Sequence, residues 1–212
     1  MHSSLQTLYD YWNEVRAGRL APQRLEIEPS RIAGILSETF MLERTDAGAY
    51  NFRLAGTRLC ELFGSELRGR NFLDAWSDED RRTLEWHLAT ITDKGAAALL
   101  TIDGIVDSRH RVELLANLLP LVHSGRITRI IGAMSATSAP HWLGHEPLRD
   151  RRLKHHQILW PDKRPHPTLG WAGRQTPLQP TLSGPGVRIV RSDQRRFRVL
   201  DGGRADGKHD KR

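Results

Sequence analysis

"YNFRLAGTRLCELFGSELRG", residues Tyr50 to Gly69, changes period at its middle. Tyr50, Phe52 and Leu54 alternate with Asn51 and Arg53, the two-residue repeat of a half-buried strand. Beyond Gly56 the apolar residues fall at Leu59, Leu62 and Phe63, along one face of a short helix. A strand that runs through a glycine into a helix serves as a phosphate cradle, a catalytic elbow or plain architecture. The glycines here do not have G-x-G-x-x-G spacing. The G-x-S-x-G pattern that a nucleophile elbow requires is absent. Gly56 is therefore expected to let the chain turn sharply from strand to helical side.

Upstream, "FMLER" and "YNFRL" read as the strands of a hairpin around "DAGA". Further upstream, Leu5, Leu8, Trp12 and Val15 form a helical stripe, with Ser4 as a cap and Gly18 as a stop. Downstream, Ser77 is a good cap for a helix running from Asp78 to about Thr90. Asp78, Glu79 and Asp80 lie at its positive end, Leu84, Leu88 and Ile91 form its apolar face, and Lys94 with Gly95 ends it. Three extended segments follow, 97–106, 111–122 and 128–137, joined by short polar turns. Pro120 cannot donate to a ladder, so it belongs near a strand end or on an edge. The order implies an α+β fold: a five-stranded antiparallel sheet with helices on one face, preceded by an amphipathic helix.

Charge divides the chain. Residues 1–140 hold 16 Lys/Arg against 18 Asp/Glu, whereas residues 141–212 hold 16 against 7. Prolines punctuate the second part, so residues 1–21 read as a helix, 22–140 as a domain, and 141–212 as a basic, largely irregular tail. Val187, Ile189, Val199 and Leu200 suggest a short ordered segment near 187–200. A tail of this charge attracts nucleic acid, anionic lipid or an acidic protein, and it is equally the composition of a solvated extension. One cysteine excludes an internal disulfide and a multi-cysteine zinc site. With no run of about 18 apolar residues and no basic-apolar leader, a cytoplasmic protein is expected.

The hairpin "FMLERTDAGAYNFRL", the short-helix stretch "GTRLCELFGSELRGRNFLDAW" and the closing three-strand meander together resemble a PAS domain. Phe63–Gly64 and Arg68–Gly69 match the family's glycine punctuation. "YWNEVRAGRLAPQRLEIEP", "YNFRLAGTRLCELFG" and "RRFRVLDGG" resemble more closely a group of small single-PAS proteins from alphaproteobacteria. The resemblance implies a sensory or regulatory module in bacterial signalling. It also implies that the N-terminal stripe is a dimer or partner helix, with an intramolecular lid as the alternative use of the same residues.

Five residues are candidates for a ligand site. Cys60 lies where light-sensing PAS proteins form a flavin adduct, but the polar signature beside such a cysteine is missing, and free cysteine packs as a small hydrophobe. His87 resembles the helical histidine of haem-binding PAS domains, although it sits at the margin of the Leu84–Leu88–Ile91 face. Arg53 is a surface charge, a cavity residue or a clamp on Glu43 across the hairpin. Thr57 is expected to cap the following helix, and Trp76 to close the core or stack a ligand. His141 and His145 are four apart, but Pro140 and Pro147 limit any helix and no third ligand is evident, so no metal site is expected.

Without a paired base and nucleophile, the expectation is a non-enzymatic sensory or adaptor protein acting by protein–protein interaction, as a homodimer or with a signalling partner. No cofactor is required by the sequence. A haem- or flavin-loaded sensor and a nucleic-acid-associated regulator using the basic tail remain the alternatives.

Overall fold

The computed structural model describes residues 4–161. Helix α1 spans Ser4–Arg16, and its i, i+3, i+7 residues Leu5, Leu8 and Trp12 are fully buried. Ser4 lies inside this helix rather than capping it, and its hydroxyl donates to the Glu38 carboxylate. A kinked 3₁₀ stretch, Pro29–Glu38, leads into a hairpin of β1 (Thr39–Asp46) and β2 (Ala49–Ala55). Gly48 turns that hairpin at φ +74°, a conformation that favours glycine. Then come α2 (Thr57–Leu62), a 3₁₀ turn at Phe72–Ala75 and α3 (Asp78–Lys94). Ser77 caps α3 by accepting the Asp80 N–H, and Gly95 ends the helix in the left-handed region.

The antiparallel meander is β3 (Ala97–Ile105), β4 (Arg111–His123) and β5 (Arg126–Ala136). A further strand, β6 (Asp150–Leu159), pairs antiparallel with β3. The sheet therefore has six strands among the described residues, in the order β2-β1-β5-β4-β3-β6, not the five expected. The sixth lies within the stretch read as irregular tail. Its sequence "DRRLKHHQIL" lacks an apolar alternation because most of it stays exposed on the sheet edge. The segment near 187–200 lies outside the described residues.

The inner face packs Phe40, Leu42, Phe52 and Leu118 against Phe72, Leu84 and Leu88 from the short helices and α3. The outer face packs Met41, Leu119, Leu121 and Ile131 against Leu5, Leu8 and Trp12 of α1. Helical segments cover both faces, not one. The run "LLANLLPL" of β4 records this, since a strand covered on both sides needs no polar alternation. Pro120 lies past the last β3 pair, Ala98–Leu118, so its missing N–H disturbs no bond to β3.

Candidate functional site

The α1 stripe is seated on the chain's own sheet. Trp12 Nε1 donates to the Pro120 carbonyl at 2.8 Å, and Asn117 Nδ2 donates to the Leu5 carbonyl at 2.9 Å. The same Asn117 accepts the Ala133 N–H through its side-chain oxygen, so one buried amide ties α1 to β4 and β5. Val15 is partly buried against the same cluster. Leu5, Leu8 and Trp12 are thus covered by the chain's own sheet.

Gly56 is architectural, though not for the reason its position suggested. Its φ is an ordinary −66°, and it precedes α2 as the cap residue. A Cβ built there would lie 2.2 Å from the Ser37 carbonyl oxygen and 2.3 Å from that of Leu36. The backbone approaches too closely for any side chain, and the Gly56 N–H bonds the Thr39 carbonyl at 2.8 Å. Thr57 is consequently the first residue of α2 and does not cap it.

Arg53 is the extra residue of a β-bulge: Met41 pairs with Leu54 and Leu42 with Phe52, leaving Arg53 between them. The bulge breaks the alternation, so Leu54 is 47% exposed instead of sharing the buried side of Phe52. Arg53 Nε reaches Glu43 at 3.2 Å, and Arg129 holds the other carboxylate oxygen at 2.6 Å. Arg53 is thus a hairpin clamp on Glu43.

Cys60 is half-buried against the inner core, its Sγ 3.9 Å from Glu66 Oε1. Trp76 is buried and donates to the Phe72 carbonyl at 2.9 Å. His87 is buried rather than marginal, with 2% of its surface exposed. Its Nε2 lies 2.8 Å from Nδ1 of His156 on β6. The His87 Nδ1 is buried without a hydrogen bond. A bare acceptor there costs less than an orphaned N–H, so His87 is the Nε2–H tautomer donating to His156. Desolvation, with His156 adding repulsion, lowers the His87 pKa to about 4.

These residues do not converge. Nor do they fit a haem or a flavin: Phe40, Phe52, Phe72 and Trp76 fill the inner face with ring centroids about 6 Å apart. The His87 Nε2 is taken by His156.

What sequence reasoning missed is a cleft of about 570 Å³ beside this filled core. Phe52 and Phe72 reach its floor, Phe63 and Leu67 one wall, and Arg70, Arg149 and Arg151 its rim. Its walls are tied by backbone bonds. Gly69 and Arg70 exchange bonds with Phe52, Leu148 N–H meets the Leu62 carbonyl at 2.7 Å, and Arg149 N–H meets Ile105 at 2.8 Å. Asn71 further fixes the loop by accepting from the Tyr50 and Leu73 N–H groups. The segment Pro147–Arg151 is distant in sequence from the helices it faces, which is why local pattern gave no sign of the cleft.

The model of the PAS domain family matches residues 1–135. The chain belongs to the PAS domain family. A PAS domain is a signal-sensing and regulatory module, and the hairpin, short helices, long helix and meander described above are its parts. The match includes α1 and ends within β5, so β6 and the Pro147–Arg151 wall of the cleft lie beyond the matched residues. Among curated proteins no relative matches the chain. No described helix is long and apolar enough to cross a membrane.

Proposed function

We propose that this PAS protein is a non-enzymatic sensory adaptor that controls a signalling partner by binding it. The observation that carries this reading is the coupling of α1 to the sheet through Trp12–Pro120 and Leu5–Asn117. A change on the inner face alters β4 and β5, and these strands hold both polar anchors of the helix. A ligand or partner that prefers one packing of helix and sheet then shifts the population between two arrangements. The exposed side of α1 and the basic residues after 161 are the contact surfaces. The resemblance of "YWNEVRAGRLAPQRLEIEP" to small bacterial single-PAS proteins supports a setting in bacterial signalling.

The test is capture from a bacterial extract with the full chain and with a chain ending at Pro161, the retained proteins being identified by mass. A signalling kinase or regulator retained by the full chain, and less by the short one, is expected. The excess of basic residues in 141–212 favours a second reading, a nucleic-acid-associated regulator. DNA or RNA binding that falls steeply with salt and disappears without residues 141–212 would replace the adaptor reading.

A further inference from the structure

The Arg151 guanidinium is the odd group of the cleft. Its Cζ lies over the Phe63 ring at 4.4 Å and over the Trp76 ring at 5.6 Å from the centroids, so two aromatic rings flank it. Among the described residues no carboxylate lies within 4 Å of it and no acceptor takes its N–H groups, although Asp150 is its sequence neighbour. Desolvation pushes its pKa down to about 10. A half-buried cation with five donors and no acceptor is an unfinished interaction, because a desolvated charge is stable when paired and hydrogen-bonded. Stacking occupies the faces of a guanidinium and leaves its edge, where carboxylate and phosphate bind in a two-pronged fashion.

The surroundings specify the rest of the ligand. Arg70 and Arg149 stand at the same cleft and make no ion pair among the described residues, against one lining carboxylate, Asp74, which faces Arg81 at 4.0 Å. The aromatic floor supplies an apolar surface, and about 570 Å³ is the size of a small-molecule pocket. We infer that the cleft between the α2–α3 connection and the Pro147–Arg151 segment binds a small organic anion, with its carboxylate or phosphate on Arg151 and a flat apolar body against Phe52, Phe63 and Phe72. Arg151 orients the anion, while Arg70 and Arg149 add long-range attraction. This names a ligand class for the sensory module proposed above and so rests on that reading, but direct titration tests it without any partner.

The probes are benzoate and phenyl phosphate, which separate the two headgroups, with benzyl alcohol as the neutral analogue and inorganic phosphate as the anion without a body. Calorimetric titration of the full chain should give saturable binding of at least one aromatic anion, and at least about tenfold weaker binding of benzyl alcohol and of inorganic phosphate. R151Q should weaken the anion about tenfold or more, and R151K should recover only part of it because an ammonium lacks the two-pronged edge. Should R151Q fail to fold, R70Q on the exposed loop should still weaken binding about threefold. The inference is overturned if neither aromatic anion saturates below about 10 mM, if benzyl alcohol binds as well, or if both R151Q and R70Q bind like the parent chain.

Discussion

His87 shows how a residue's role depends on its partner. On α3 alone it stands beside an apolar stripe; in the fold it is buried against His156, with the Trp86 ring centroid 5.0 Å away. Its folded pKa of about 4 lies below the ordinary 6.5. The neutral ring therefore stabilises the fold above pH 6.5. That contribution is lost as pH falls towards 4, because the unfolded chain takes up the proton first. Over pH 7.5 to 5 the loss should be roughly 1–2 kcal/mol. Urea unfolding of the parent and of H87Q at both pH values checks this. H87Q keeps a donor for His156 without titrating, and should lose correspondingly less stability on acidification. Equal losses would assign the acid sensitivity to other groups.

Helix α1 behaves as a structural layer. Its stripe could be read from the spacing of Leu5, Leu8 and Trp12, but spacing specifies a face and not what covers that face. The cover is β4 and β5, and the sign of it lay in the unbroken apolar run of β4. W12A removes a fully buried ring and the bond to Pro120, and should cost about 3–5 kcal/mol in denaturant unfolding. A chain starting at Gly18 should bare Leu119, Leu121 and Ile131, and light scattering should then find it self-associated. A stable monomer lacking α1 would show that the helix is an appendage. The bulge at Arg53 belongs to the same scale: one extra residue reversed the side of Leu54, which strict alternation placed inside.

For the whole molecule, the consequential difference is β6. A chain ending at Pro140 contains the family-matched domain but leaves β3 without its outer neighbour and His87 without His156. It also loses the Leu153 N–H that bonds Asp80 at the start of α3, and the Leu148 and Trp142 side chains of the inner core. Ending the chain at Pro140 should therefore lower the unfolding free energy by several kcal/mol, about 2 or more for each lost core side chain, relative to a chain ending at Pro161. Closely matched unfolding midpoints would reduce β6 to a passenger. This truncation also removes Arg149 and Arg151, so it should abolish anion binding in the cleft whatever its stability.

The sequence by itself determined the helices with clear caps, the β1–β2 hairpin and the β3–β4–β5 meander, because these follow from residues within a few positions of one another. Ser77 and Gly95 bound α3 by local hydrogen bonding and backbone freedom, whatever surrounds them. Only the tertiary structure decided that α1 lies on the second face of the sheet, that an exposed basic stretch becomes an edge strand, and that three arginines meet at an aromatic cleft. These depend on contacts between residues tens of positions apart, where pairing and burial are set by the packing of the whole chain rather than by any local period.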